Sequence, residues 1–486
     1  MSRAVGTDTL PAEESRGVPS LVAYRSGVCQ VGWSAMRTDN GIVSGFMSEW
    51  AVPRDAGENG GGHPQVTADF LHTLLVAGDG SVQSTFGTID SLVLAVPDGW
   101  YEPEVGGVWA RERLWRAVHD ELGMPLSGFV SQSVAAAAFL ARAATAHVES
   151  ARPTTVLVCD VGASTVSAAL CELAGPSVRL LDVQIRDIRD GAAMGSAFER
   201  DALRAVMAQL AQPVPDHASS RYARLVQSLD DALDRQRSRT RIVLDRARNH
   251  ERYRQTPVFA VGEPVATAWI TAAEVIGCFA PVAEGIAATI AALGERHRAL
   301  FAEIRTLALA GGFGAFPLAR DAALQALGTR RRPPEVSALD PDAIARGALA
   351  VSDGLVEVAD RQIYAMSLPV HRLVAGRLVG DRVSLVGAGE AAPREITRNG
   401  EPFVVEVVGE PQIGVAALHV DVTSAGGQWE PTTVAPDRPV PPGRYRVGLW
   451  PARDGLGGLA FRPVDGAPAR VYSLSQRTGR SVEGAP

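Results

Sequence analysis

The sequence predicts an α/β protein built on a duplicated plan, two lobes around a cleft, with a small all-β domain after them. Three observations carry this. Within each of two successive stretches, strand patterns precede helix patterns. The run VLVCDVGASTVSAAL at 156–170 is an apolar strand, a turn of Asp, Gly and small hydroxyl residues, and a second strand. After Val358 the texture changes to short runs of alternating Val, Gly and Pro, such as RVSLVGAG and EPFVVEVVG, which is the pattern of short antiparallel strands.

The elements follow in order. Three strand-like runs between Leu21 and about Val52 fit an antiparallel meander, and 57–65 (GENGGGHPQ) reads as a loop. A helix over 66–77 turns Phe70, Leu71, Leu74 and Leu75 inward. Next come a buried strand in 91–100 ending at Pro97, a helix over 108–122, and a short strand feeding an alanine-rich helix. Beyond the 156–170 hairpin the pattern gives a strand, a helix (MGSAFERDALRAVMAQLA), a long polar helix from Arg221 to about Arg248, and a hairpin. Thr271 and Glu274 have capping-box spacing at the next helix start. A strand, glycine turn and helix (IRTLALAGGFGAFPLARDAAL) and a closing helix complete the duplicated part. The expected organisation is a tail at 1–20, a cleft-forming region at 21–358, a β-rich domain at 359–475 and a tail at 476–486. Within 21–358, lobe I covers 21–150, lobe II covers 154–335, and the closing helix covers 340–358.

Composition narrows the function classes. The chain has 486 residues, enough for two or three domains. A net charge of −7 argues against nucleic-acid binding by phosphate neutralisation, and TRRRPP at 329–334 reads as a solvated loop. The four cysteines form no Cys-x-x-Cys pair, and Cys159 and Cys171 fall inside strand patterns as small core residues. The N-terminus lacks a hydrophobic signal core, and the apolar stretch 270–293 carries Glu274 and Glu284. The expectation is a cytoplasmic protein with no membrane span. The sequence contains no lysine, and its Ala, Arg, Gly and Pro bias is what a very GC-rich genome gives.

On its own, the Asp160-Val161-Gly162-Ala163-Ser164-Thr165 turn reads either as a plain β-turn or as a phosphate pocket. In the second case Gly162, Ala163, Ser164 and Thr165 would bring backbone N–H groups close to phosphates, since only small residues allow that approach. Asp160, at the strand's end, would then hold a metal-bound water. Gly311 and Gly312, between a strand and a helix, would let backbone approach a sugar and base.

Several segments then stand in a familiar order. AVPDGW, SQSVAAAAFLA, CDVGAST, RDGAAMGSAFE, LAGGFGAFP and DPDAIARGALA each resemble a segment of the Hsp70 (DnaK-type) chaperones, within the actin-like ATPase superfamily, over 21–358. The resemblance implies an actin-like/Hsp70-type ATPase fold with a nucleotide cleft. It implies ATP or ADP with Mg2+ as ligand, and Asp160 (also the metal ligand) and Gln132 as catalytic positions. Cofactor contacts would come from Gly162, Ala163, Ser164, Thr165, Gly195, Gly311, Gly312 and Phe313. Arg237 and Arg241 would lie on the helix that faces adenine and ribose.

The pattern breaks where charge is needed. Tyr24 or Arg25 stands at the family's first phosphate-loop aspartate, with only Gly27 left of that loop. The family's catalytic lysine is missing, and an arginine does not replace a compact ammonium at a reacting phosphate. Gln132 stands for a glutamate, Met194 for a glycine, and Phe313 and Ala315 for the serine and the adenine-stacking arginine. Phosphoryl transfer depends mostly on positioning and charge, and one lost group costs about 10² to 10³ in rate. The sequence therefore implies at most a weak ATPase. The leading expectation is an Hsp70-like chaperone or regulatory switch that binds ATP/ADP weakly. The alternatives are a pseudo-ATPase scaffold without nucleotide, and a sugar-kinase-like enzyme with Asp98 or Asp190 as base. The β-rich domain is expected to bind an unidentified protein partner or client, with neither nucleic acid nor membrane as partner.

Overall fold

The computed structural model describes residues 18, 20–25, 28–38, 41–44, 46, 63–77, 81–101, 114, 116–145, 153–187, 194–235, 237–263, 266–328, 333–358, 365–387, 396–398, 401–408, 418–423, 429–434, 440–450, 458–465 and 470–473. The tails at 1–17 and 476–486, Gly27, the 57–62 loop, the 108–113 helix start, Asp190, Arg330 to Arg332 and the 359–364 linker lie outside them.

The protein is of mixed α/β class, and the chain divides into two compact units. The first comprises 1–98 and 112–358, the second 99–111 and 359–486. In the first unit, β1 (Leu21–Arg25), β2 (Val28–Val31) and β3 (Ile42–Ser44) form an antiparallel sheet. Its order is β2-β1-β3, so β1 is central and the expected meander order does not hold. The physical reason is the side of β1 left open. The two-residue gap after Arg25 sends β2 back along one edge, and β3 takes the other edge. Helix α1 (His63–Leu75) covers this sheet, where Val22, Phe46, Val66 and Phe70 pack together. Strands β4 (Leu92–Val96) and β5 (Leu126–Ser131) pair in parallel as a separate sheet. Between them, Arg116–Glu121 winds as wide π-type turns rather than a regular helix. Helix α2 (Gln132–Thr145) follows β5 directly.

The main sheet begins with three hairpin-linked antiparallel strands, β6 (Thr154–Val161), β7 (Thr165–Ala174) and β8 (Ser177–Asp187). Helix α3 (Gly195–Gln209) comes next. The long polar helix expected from Arg221 is described as α4 (Ser220–Arg235) and α5 (Arg237–Asn249), on either side of Gln236, which lies outside the described residues. Then β9 (Pro257–Glu263) and β10 (Ala266–Thr271) form a hairpin that leads into α6 (Ala272–Arg296). Thr271 Oγ1 accepts from the Glu274 N–H, and the Glu274 carboxylate accepts from the Thr271 N–H at 2.8 Å, closing the capping box. Strand β11 (Thr306–Ala310) pairs in parallel with β6, and after α7 (Pro317–Leu327), β12 (Glu335–Ala338) pairs in parallel with β11. Helix α8 (Ala343–Ser352) precedes β13 (Glu357–Val358), giving the order β12-β11-β6-β7-β8-β13.

Strand alternation gives this sheet two buried faces. Leu157, Cys159, Val166, Ala168, Leu307 and Leu309 face α3, α6 and α7. Val156, Val158, Ala169, Cys171, Ala308 and Ala310 face α2 and α8. The alanine run of α2 exists for close approach: Ala135 to Ala138 are fully buried, and a Cβ on Gly347 of α8 would run into the Ala135 carbonyl. Helix α6 is long and apolar enough to cross a membrane by length and composition. Here its Val275, Phe279, Val282, Ile286, Ile290 and Leu293 are buried.

In the second unit, β14 (Ala365–Val374), β15 (Arg377–Val386), β19 (Leu418–Thr423) and β20 (Trp429–Val434) form an antiparallel sheet in the order β15-β14-β19-β20. A small hairpin, β16 (Thr397–Arg398) with β17 (Glu401–Pro402), lies between them in sequence. A second antiparallel sheet has the order β18-β21-β22-β23, from Val404–Val407, Gly443–Trp450, Gly458–Pro463 and Arg470–Ser473. Met366, Leu385 and Val420 of the first sheet share a core with Val447, Leu449 and Phe461 of the second. The turn at Ala375-Gly376, with φ of 49° and 80°, closes the β14–β15 hairpin.

Candidate functional site

The site is built at the carboxyl ends of β4, β6 and β11, where open sheets of this kind bring backbone turns together. Asp160 is the penultimate residue of strand β6 and is 8% exposed. The turn after it closes by the Gly162 N–H donating to the Thr165 carbonyl at 2.9 Å. Helix α3 starts against this turn: the Gly195 N–H donates to Gly162 O (3.1 Å) and the Ser196 N–H to Ala163 O (3.0 Å). A Cβ on Gly195 would stand 2.9 Å from Gly162 O and would meet the Phe313 ring. The first-turn donors of α3, which would suit an anion, are therefore spent on the protein's own carbonyls.

Strand β11 ends at Ala310, and Gly311 adopts φ 80°. A side chain there would collide with the Asp160 carboxylate, and its Cβ would lie 2.5 Å from Val161 O. Glycine is needed for conformation and space alike. The Phe313 N–H donates to Val161 O at 3.1 Å, so the second glycine turn is also tied to the first. Gly311 and Gly312 are exposed, and nothing lies near a Cβ placed on Gly312. Phe313, expected among the cofactor contacts, turns its ring into the core. It packs edge-on against Phe198 at 5.6 Å and against Phe316 at 6.1 Å, with Phe279 at 6.0 Å. Burial of an aromatic ring beside three others is worth more than its exposure at a turn.

The electrostatics depend on a second acid. Asp98 follows β4 and is 4% exposed. Its carboxylate accepts from Ser133 Oγ at 2.7 Å, from Ser167 Oγ at 3.0 Å and from the Ser133 N–H at 3.3 Å. Ser131 caps α2, accepting from the Val134 N–H at 3.3 Å. Burial pushes the Asp98 carboxyl above its usual range, against the lowering effect of the Ser133, Ser167 and Ser131 hydroxyls. Asp160 is pushed up to about 7, first by burial and then by the charge of Asp98. Ser167, which donates to Asp98, is the register partner of Asp160 across β6 and β7, so the two buried acids share one neighbourhood, and Asp160 has no hydrogen-bond partner among the described residues.

Of the remaining expected residues, Gln132 is half-buried at the start of α2, with no hydrogen-bond partner among the described residues. Arg241 is exposed on α5, and the side chain of Arg237 lies outside the described residues. Arg248, not Arg241, reaches another element: it pairs with Asp321 of α7. The structure thus joins Asp160, Gly162, Ala163, Thr165, Gly195 and Gly311 with the Phe313 backbone, while the Phe313 ring points into the core and Arg241 stands apart. It also adds Ser133 and Ser167, whose signal was faint: a hydroxyl on the second residue of α2 and one on an otherwise apolar strand. A groove of about 670 Å³ runs between α6 and α7, lined by Ile276, Ala280, Ala283, Leu318 and Ala322. No residue of the Asp160 turn lines it.

The residues present fit nucleotide poorly. Three backbone donors next to the turn are spent internally, and a triphosphate would meet two carboxyls. Among the described residues no group of three or more His, Cys, Asp or Glu side chains could hold a metal ion. No protein-family model matches the chain, and no curated protein matches it.

Proposed function

We propose that the chain is an Hsp70-like pseudo-ATPase, a protein-binding module on an actin-like fold that does not transfer phosphoryl groups. One observation carries this reading. Asp160 is the only charged group of the implied phosphate site that the sequence retains, and its register partner Ser167 binds the buried acid Asp98 rather than a cation. Charge stabilisation at a transferring phosphoryl group needs positive groups there. The mixed sheet, with Asp160 and Gly311 at the carboxyl ends of adjacent strands, supports the actin-like part of the proposal. The β strands from 365 to 473 are the proposed surface for a protein partner or client.

The test is calorimetry of ATP and ADP with magnesium, together with phosphate release, on wild type and Asp160→Ala. The expected outcome is no binding heat and no phosphate above the buffer rate. Micromolar binding by wild type that weakens at least tenfold in Asp160→Ala would overturn it.

A second reading, a nucleotide-responsive switch, is favoured by the exposed Gly311-Gly312 turn and by the Ala163 and Ser164 N–H groups, which lack partners among the described residues. It predicts nucleotide binding without turnover. A kinase-like reading is disfavoured by Asp98, whose carboxylate is already held by three donors.

A further inference from the structure

Segment 237–254 carries seven arginines against two carboxylates in a chain whose net charge is −7. Helix α5 supplies most of it, over about 20 Å of length. Thr240, Leu244 and Ala247 form its buried line. Steps of about 100° per residue then put Ile242, 52% exposed, in the middle of the outer face. Arg239 and Arg246 flank it on one side, and Asp245 and then Arg241 on the other, all exposed. Past the helix end, the Arg246 and Arg252 guanidinium groups stand 5.8 Å and 4.8 Å from the centroid of the Tyr253 ring. Among the described residues, no carboxylate lies within ion-pair distance of Arg239, Arg241, Arg246 or Arg252. Arg248 pairs with Asp321, whose carboxylate also attracts Arg241.

We infer that this face of α5 is a docking surface for an acidic segment of a partner protein that carries an apolar residue among its carboxylates. The inference rests on the protein-binding reading above and adds a second surface to the β strands from 365 to 473 proposed there. Guanidinium forks match carboxylates in two-point contacts, and an aromatic ring beside them limits the rotamer freedom lost on binding. The apolar centre decides between polyanions. Ile242 offers nothing to a phosphate backbone, whereas a leucine or phenylalanine among glutamates would cover it.

The probe is a fluorescein-labelled peptide of glutamates around one central leucine, titrated with the full chain at low ionic strength and read by anisotropy. Comparison ligands are the all-glutamate peptide and a single-stranded oligonucleotide of equal charge. The expected results are saturable binding, weakening with salt, and a lower affinity for the all-glutamate peptide. The double variant Arg239→Glu/Arg246→Glu should weaken binding by about tenfold or more, and Ile242→Ser by about threefold. Both substitutions are on the exposed face, and circular dichroism would confirm that α5 is kept. Equal or tighter oligonucleotide binding, unchanged affinity in the double variant, or no peptide binding would each overturn the inference. Adding ATP and magnesium separates the two claims. At matched ionic strength, equal ATP effects on wild type and Asp160→Ala support both, and displacement by ATP in wild type that is lost in Asp160→Ala would contradict the pseudo-ATPase reading.

Discussion

The two stretches that the sequence pattern predicts to repeat one plan differ sharply. The later one forms a six-stranded mixed sheet covered on both faces, with its hairpin strands paired over eight and ten residues. In the earlier one, β1 to β3 and the β4–β5 pair are separate sheets among the described residues. The small sheet is also anchored elsewhere. Ala23, Ala35 and Ile42 pack with Ala223 of α4, and the Ile42 N–H donates to the Ala218 carbonyl at 3.1 Å. Asp160 and Gly311 lie in the continuous sheet, whereas Tyr24 and Arg25 lie in the small one, whose central strand β1 is paired on both edges by β2 and β3.

This contrast makes graded predictions. The largest effect belongs to the close crossing of α2 and α8. Gly347→Val would push a branched side chain into the Ala135 backbone, and the expected outcome is loss of the cooperative melt or a Tm drop of at least about 10 °C. Next is Gly311→Ala, where positive φ and the Asp160 and Val161 oxygens combine. Denaturant melts should show a loss of about 2 to 4 kcal/mol. A melt within 0.5 kcal/mol of wild type would mean that the two glycine turns are not locked together.

The third effect depends on pH. The Asp160 carboxyl titrates at about 7 in the folded protein and near 4 when unfolded. Between those values the folded state holds the extra proton, so stability falls as pH rises through this window. Asp160→Asn removes the charging cost. Its stability relative to wild type should rise from pH 4 to pH 7 by about 1 kcal/mol or more per unit, then level off. A difference independent of pH would place a cation near Asp160. The smallest effect belongs to the separated sheet. Tyr24→Phe removes the exposed 2.7 Å bond to Asp69, and a change below about 1 kcal/mol is expected.

Sequence made the later stretch legible because its signals are local. Strand alternation in 156–170, the Thr271–Glu274 spacing and the Gly311 turn each act within a few residues. The strand order of β1 to β3 was not legible, since which edge β3 takes depends on Ala223 of α4, some 180 residues away in the chain. Similarly, Asp98 could be nominated as a cleft acid from its position after a strand. Its engagement by Ser133 and Ser167 requires three elements to meet. Phe313 was misread for the same reason: its partners Phe198 and Phe279 are distant in sequence, and a glycine-turn motif says nothing of a core behind it.

The most direct test of the central claim is amide hydrogen exchange with and without ATP and magnesium, followed at Gly162, Gly195, Ser196 and Phe313. If these donors already serve the protein's own carbonyls, all four amides exchange slowly without nucleotide, and adding it changes nothing. Fast exchange that becomes slow on adding ATP would show free phosphate donors, and the pseudo-ATPase account would be wrong.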